Sequence, residues 1–277
     1  MTPVRLLAVD MDDTLPRSGN SVPFRVRSAV RKAGSRGITM ALVSHWPPET
    51  LKQVSALMGI KKQPGCLIAS SGTIVMESRA GIVLYEQKLP PAAALPVFDM
   101  ADAEGFAVQI HGGDTMYISR ANEFTGYGEK LTGLRQTVAG NFREMIAAGC
   151  HKLLIPGDPM ILEPLARLLK TLSDDVAIHS PMPYLLEVLP SGANKAAALA
   201  LAAEKCSVPR EEVLAMGNSP DDAAMLRWAG YSVTTSSADP QLKEIASYVT
   251  EESSMEDCIA KVIEHFILGN GVLNGGK

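Results

Sequence analysis

The chain has 277 residues, 46% hydrophobic and 20% charged, enough to bury one large core or two modest ones. Its formal charge of -4 leaves no excess of Lys and Arg from which to build a broad polyanion-binding face, so nucleic acid is not an expected partner. No apolar run approaches the ~20 residues of a membrane span. The cysteines Cys66, Cys150, Cys206 and Cys258 are far apart, with no C-x-x-C spacing and no leader pattern ahead of them, which predicts reduced thiols in a cytoplasmic chain.

Val4 to Val9 is an apolar run broken only by Arg5, the pattern of a strand buried on both faces in a parallel sheet. It stops at Asp10-Met11-Asp12-Asp13-Thr14. Val22, Val26, Ala29, Val30 and Ala33 then recur at helical spacing, with Pro23 early and Gly37 where a C-terminal cap belongs. Ile38 to Val43 is a second short apolar run, and Pro47-Pro48-Glu49 opens a helix carrying Leu51, Val54, Leu57 and Met58. This βαβα alternation predicts a parallel sheet.

After Leu67 the pattern breaks. Leu67–Met76 and Ile82–Leu84 flank the turn-like Glu77-Ser78-Arg79-Ala80-Gly81 and predict a hairpin. Helices over Pro91–Glu104 and Pro159–Leu172, with strands over Phe106–Ile110, Met116–Ser119, Lys152–Ile155 and Ala177–Ser180, predict a separate α+β unit. From Leu185 the first pattern resumes, with a helix over Ala196–Lys205, a strand over Val213–Met216, a helix over Ala223–Ala229 and a strand over Tyr231–Thr234. The predicted architecture is α/β: a parallel-sheet core from residues 1–84 and 184–268, an α+β domain inserted at 85–183, and a Gly- and Asn-rich tail at 269–277 with little to pack.

On this architecture four separated segments meet at the carboxyl ends of parallel strands, where open α/β sheets hold their ligands. Asp10 and Asp12 point to one side of an extended chain. Two carboxylates placed so can bind a hard divalent cation and divide nucleophilic and proton-transfer roles, or can merely cap a turn or the following helix. A calcium loop is excluded, because Leu15 stands where Gly is needed, Ser21 where Glu is needed, and a strand precedes instead of a helix.

Leu7-Ala8-Val9-Asp10-Met11-Asp12-Asp13-Thr14-Leu15 resembles the first motif of haloacid dehalogenase superfamily phosphatases, hydrophobic residues followed by D-x-D-x-T. Three later segments follow in the family's order, and the place and length of the insert resemble the α/β cap of the Cof-type sugar-phosphate phosphatases. Ser44, ending Ala41-Leu42-Val43-Ser44, matches the family's phosphoryl-binding hydroxyl, while His45-Trp46 replaces the usual Gly-Arg and removes a planar anion partner. The stretch Leu186 to Lys195 resembles the one ending in the Lys that begins a helix, which implies that Lys195 offsets charge on the nucleophile and the phosphoryl oxygens. Ala215 to Leu226 resembles G-D-x-x-N-D-x-x-M-L with an exchange: Asn218 stands at the usual metal-binding Asp, and Asp221 at the usual Asn. Ser71-Gly72-Thr73 resembles the N-G-A turn with Ser replacing Asn.

The resemblance implies a Rossmann-like core with a cap that closes over the substrate, magnesium as cofactor, and a small phosphorylated metabolite as substrate. The implied metal set is Asp10, Asp12, Asn218, Asp221 and Asp222. Asp10 would attack phosphorus to give an aspartyl phosphate, Asp12 would serve as general acid and then general base, and Ser44 and Lys195 would hold the oxygens. The departures at His45-Trp46 and Asn218 also suit a phosphate-ligand binder or regulator without turnover, and transfer to a sugar hydroxyl is a third reading. In the insert, His111, Tyr117, Arg120, His151 and Lys152 are read as structural or solvated before they are read as leaving-group contacts, and Trp46 and Trp228 as packing residues.

Overall fold

The computed structural model describes residues 3–12, 22–252 and 254–269. Asp13, Thr14 and residues 270–277 of the predicted tail lie outside the described residues. The chain forms two compact units, Met1–Tyr85 with Asn194–Lys277, and Glu86–Ala193.

The first unit begins with β1 (Leu6–Asp10), whose Leu7 and Val9 enter one apolar cluster while Leu6 and Ala8 enter another. Burial on both faces explains why this strand reads as a continuous apolar run. There follow α1 (Phe24–Ser35), β2 (Thr39–Val43), α2 (Pro48–Met58), β3 (Gly65–Ala69), β4 (Ile74–Glu77) and β5 (Val83–Glu86). Prolines at 47 and 48 open α2, where a missing N–H removes no helix hydrogen bond, and Gly59 ends it in the left-handed region at φ 81°. The segment Leu67–Met76, predicted as one arm of a hairpin, is instead two antiparallel strands, β3 and β4. The chain reverses between them because Ser70, Ser71 and Gly72 all take positive φ, at 49°, 60° and 93°.

The second unit holds α3 (Pro91–Ala103), β6 (Gln109–Gly112), β7 (Thr115–Ile118), α4 (Gly126–Thr132), β8 (Arg135–Val138), α5 (Phe142–Ala147), β9 (Leu153–Pro156), α6 (Pro159–Leu169), β10 (Val176–Met182) and β11 (Leu185–Pro190). Its sheet runs β10-β11-β9-β6-β7-β8, antiparallel except for the β7–β8 pair. One face packs Ile110, Leu153, Ile155, Leu186 and Val188 against α3, α5 and α6, and the other carries Met116, Ile118, Leu134, Leu154 and Leu185. The sequence boundary at 183 needs correction here. β11, assigned from sequence to the returning core, pairs antiparallel with β9 and β10, so the chain leaves this unit only after Ala193. An all-apolar run such as Leu185–Pro190 carries no mark of which sheet it joins.

The return supplies α7 (Lys195–Lys205), β12 (Val213–Met216), α8 (Ala223–Trp228), β13 (Tyr231–Thr234), α9 (Pro240–Ile245), β14 (Tyr248–Val249) and α10 (Met255–Val262). The first unit's sheet has the order β14-β13-β12-β1-β2-β3-β4-β5 and is parallel from β14 through β3. Helices α1, α2 and α10 cover one face and α7, α8 and α9 the other. β1 lies between β2 and β12, and the chain passes from β1 to β2 but from β12 to β13, so it leaves these two neighbouring strands in opposite directions. The crevice beyond such a point is where open α/β sheets bind ligands. Trp46 is buried in the first cluster and Trp228 packs on the second, as packing residues do. Among the described residues no helix is long and apolar enough to cross a membrane.

Candidate active site

Three strand ends and one helix start bring the predicted residues together. Asp10 is the last residue of β1, and the Met11 N–H donates to the Val43 carbonyl at 2.8 Å, which keeps the chain in the sheet for one more residue before it turns at Asp12. Ser44 and His45 follow β2 directly. Lys195 is the first residue of α7, and Asn194 is its cap, in extended backbone and accepting the Ala197 N–H at 2.8 Å. That cap gives Asn194 a local structural role. Gly72 lets the turn after β3 approach this helix start, since a Cβ there would lie 2.4 Å from the Asn194 carbonyl oxygen. Asp222 follows β12 in a capping box with Ser219: its Oδ2 accepts the N–H groups of Asn218 at 3.0 Å and Ser219 at 3.1 Å.

The Lys195 ammonium is the hub. It lies 2.7 Å from Asp10 Oδ1, 2.9 Å from Asp12 Oδ2, 2.7 Å from Asp221 Oδ2 and 2.9 Å from Asp222 Oδ1. Only 3% of the Lys195 side chain is exposed, and Asp10 and Asp222 are fully buried. Asp12 is gripped on its other side by the segment after β2. Its Oδ1 accepts the Ser44 hydroxyl at 2.5 Å, its Oδ2 lies 2.8 Å from His45 Nδ1, and the His45 backbone N–H donates to both oxygens at 3.2 and 3.1 Å. Ser44 Oγ also accepts the Trp46 N–H at 2.9 Å.

These surroundings drive the two leading carboxyls apart. Burial, helped by the charges of Asp12 and Asp222, holds Asp10 well above the usual carboxylate range against the pull of Lys195. Burial also works against ionisation of Asp12, but His45 and Lys195, with the hydrogen bonds from His45 and Ser44, hold it well below that range. Burial raises Asp222 despite Lys195, whereas Lys195 and Ser219 overcome burial to lower Asp221. Desolvation works against charge on Lys195, yet the surrounding carboxylates hold its ammonium well above the ordinary lysine value.

Asp10, Asp12, Asp221, Asp222 and Lys195 therefore form one contact network, with Ser44 joined to it through Asp12. Asn218 adjoins it through the loop that Asp222 caps. The Asn218 side-chain oxygen is buried and has no hydrogen-bond partner among the described residues, which leaves it an acceptor suited to a hard cation. Among the described residues no group of three or more His, Cys, Asp or Glu side chains forms a metal cage. A site built from Asp10, an amide oxygen and a backbone carbonyl lies outside such a group, and its donors are all oxygens of the kind magnesium prefers. Four carboxylates around one ammonium also leave negative charge to be balanced.

In the sequence His45 reads only as the loss of an arginine, and its contact with Asp12 is visible only in the fold. The available signal was its place directly after the strand end beside β1. In the second unit, Arg120 is ion-paired with Asp102, His151 Nε2 lies 2.7 Å from Glu86, and Lys152 is buried 2.5 Å from Glu187, so these three have local structural partners. Tyr117 packs against the helix-side core.

The model of the haloacid dehalogenase-like hydrolases matches residues 7–263. The chain is 29% identical over 270 residues to the 5-amino-6-(5-phospho-D-ribitylamino)uracil phosphatase of Bacillus subtilis, covering 96% of each. It is 25% identical over 275 residues to the HMP-PP phosphatase of an Enterobacter species, covering 95% of this chain and 94% of the relative. Its fold matches that of a haloacid dehalogenase-like hydrolase from Bacteroides thetaiotaomicron with a TM-score of 0.85, at 23% identity over 94% of this chain and 99% of the other. The match runs through both stretches of the first unit and the whole of the second, so the chain belongs to the haloacid dehalogenase-like hydrolases, among their phosphatases.

Proposed function

We propose that the chain hydrolyses small phosphomonoesters, phosphorylated sugars or sugar alcohols, with magnesium, through a phosphoryl group carried transiently on Asp10. The observation that carries this reading is the convergence of Asp10 and Asp12 on one buried ammonium at the central strand end. Asp10 is the nucleophile: a bond forms between its carboxylate oxygen and phosphorus while the ester P–O bond breaks. The resting site favours the proton on Asp10 and an ionised Asp12, so that proton passes to Asp12 as substrate binds; Asp12 gives it to the departing oxygen, then takes one from the water whose oxygen bonds phosphorus as the Asp10–phosphorus bond breaks. Lys195 balances charge on the nucleophile and the phosphoryl oxygens, in a buried setting where such charge matters most. Ser44 donates to Asp12 in the resting site, and once Asp12 carries a proton its hydroxyl is released to hold a phosphoryl oxygen.

Asp10, the Asp12 backbone carbonyl and Asn218 are the residues proposed to hold magnesium, with Asp221 and Asp222 supporting them. When bound, the cation supplies positive charge against the phosphoryl oxygens and the nucleophile. The unpartnered Asn218 oxygen and the excess of carboxylates support this assignment. The relative named as a phosphatase of a phosphoribitylamino compound supports the substrate class.

The test is release of inorganic phosphate from a panel of sugar and sugar-alcohol phosphates, with magnesium and after chelation, by the native chain and by Asp10→Asn. Magnesium-dependent release that disappears in Asp10→Asn is the expected result. No release across the panel, together with tight binding of a phosphosugar, would replace this reading with that of a phosphate-ligand regulator.

A further inference from the structure

His45 does more than fill the end of β2. The residue is 7% exposed, and its ring meets the Trp46 ring edge-on, with centroids 6.2 Å apart and planes at 75°; Trp46 is itself buried in the core. The imidazole is therefore held by packing, and the hydrogen bond to Asp12 Oδ2 places a proton on Nδ1. Three donors from the two consecutive residues Ser44 and His45 face the Asp12 carboxylate: a hydroxyl, a backbone N–H and a ring nitrogen. The first two lie on the Oδ1 side or straddle the group. The ring and the backbone N–H of His45 both reach Oδ2, the oxygen shared with Lys195, and the ring makes the shorter contact, 2.8 Å against 3.1 Å. A carboxyl held by both its oxygens cannot swing about its last torsion without breaking a buried contact.

We propose that His45 is a positioning residue that sets the orientation of the Asp12 carboxyl for proton delivery to the leaving oxygen. It thereby enables the enzyme to expel unactivated alkoxides. This rests on the phosphatase reading above and adds to it a residue acting through Asp12. In the step concerned, the Asp12 O–H bond breaks, its proton passes to the ester oxygen, the ester P–O bond breaks and the Asp10–phosphorus bond forms. His45 begins and ends the step with its own protons. A general acid contributes roughly 10²- to 10⁴-fold, and its benefit depends on placement to within about an ångström. The benefit also depends on the leaving group, because nitrophenolate departs without a proton and an alkoxide does not.

The test compares kcat/KM, which reports the steps through leaving-group departure, for an alkyl phosphate and for 4-nitrophenyl phosphate. The variants are His45→Leu, which keeps volume without a donor, and His45→Asn, whose amide N–H lies near the place of Nδ1–H. We expect His45→Leu to lose about 10- to 100-fold on the alkyl ester and under about 3-fold on the nitrophenyl ester, with His45→Asn recovering the alkyl activity to within about 5-fold. Equal losses on both esters in a folded His45→Leu protein, or a folded His45→Asn no better than His45→Leu, overturn the proposal. Should His45→Leu not fold, His45→Asn decides: alkyl activity within about 5-fold of native supports the role, and a selective loss of tenfold or more overturns it. Asp12→Ala separates the two readings. If its loss is not selective for the alkyl ester while release still requires Asp10, the positioning role falls and the phosphatase reading stands; if the native chain releases phosphate from neither ester, both fall.

Discussion

At Asn218 a single side-chain oxygen decides how the chain should answer to magnesium. The oxygen is buried without a partner among the described residues, so a cation that binds there satisfies that acceptor in the folded state alone. Magnesium at about one hundred times its Kd should add about 2.7 kcal/mol to stability, or several degrees in Tm, and chelation should remove it. Thermal melts of Asn218→Leu should need at least about tenfold more magnesium for the same shift, whereas Asn218→Asp should need less. A Tm shift that is identical in all three proteins would place the cation elsewhere. Lys195 makes the complementary case. Lys195→Met leaves Asp10, Asp12, Asp221 and Asp222 facing one another, and losing one partner from a buried charge cluster costs about 3–5 kcal/mol. The loss should be larger at pH 8 than at pH 5: Asp10 and Asp222 have raised pKa values in the folded protein, so folding favours their protonated forms and stability falls as pH rises through their titration. Urea midpoints at the two pH values, in chelator, check both statements.

The cysteines show how little a residue's name says before its neighbours are known. Reduced and mostly buried thiols were expected, and all four are free, three of them buried. Yet Cys66 and Cys206 sit with sulfurs 3.5 Å apart, and the hydrogen bond from Cys66 draws the half-buried Cys206 down to about 7 against the effect of burial. Burial pushes Cys150 and Cys258 up to about 12. Cys206 should therefore alkylate first in the native protein, at a rate that rises with pH around 7 because the thiolate is the nucleophile. Peptide mapping after brief iodoacetamide treatment checks this, and prior labelling of Cys150 or Cys258 would contradict it.

At the scale of elements, the start of α7 links stability to chemistry. Asn194 caps the helix whose first residue is Lys195, and Gly72 touches that cap from the turn after β3. Asn194→Ala should cost about 1 kcal/mol by denaturant unfolding, as loss of a cap does. Gly72→Ala should cost more, because φ is 93° and the new Cβ would meet the Asn194 carbonyl at 2.4 Å. Both substitutions shift the base of the Lys195 side chain, so phosphate release should fall together with stability. Full activity in Gly72→Ala would show that the approach of the turn to α7 is incidental. The resemblance of Leu186 to Lys195 to the family's third motif implied a helix starting at Lys195, beside the alanine-rich pattern from Ala196 to Lys205. It had not marked Gly72 as the neighbour of that start, because the two are more than one hundred residues apart.

For the whole molecule, the two units carry separate cores: two sheet-face clusters in the first, and a helix-side cluster with a smaller one opposite in the second. A fragment spanning 86–193 holds all six strands of its own sheet and the helices α3, α5 and α6 that cover it. It should fold cooperatively by itself, giving a single urea transition and native-like circular dichroism. A fragment ending at 183 would lack β11, the strand that joins β10 to β9, and should not fold. The pair of fragments thereby tests where the second unit ends.

By itself the sequence determined what depends on neighbours along the chain. The period of the apolar residues gave β1, β2, β12 and β13 and the main helices, because burial on one or both faces is written directly into that period. The resemblance of four segments to the family's motifs implied that Asp10, Asp12, Ser44, Lys195, Asn218, Asp221 and Asp222 come together. Only the tertiary structure decided what depends on distant partners: that β11 joins the second sheet, that four carboxylates share the Lys195 ammonium, and that His45 closes on Asp12. Strand pairing and buried electrostatics are set by which segments meet in space, and an apolar run or a lone histidine carries the same local signature whichever partner it finds.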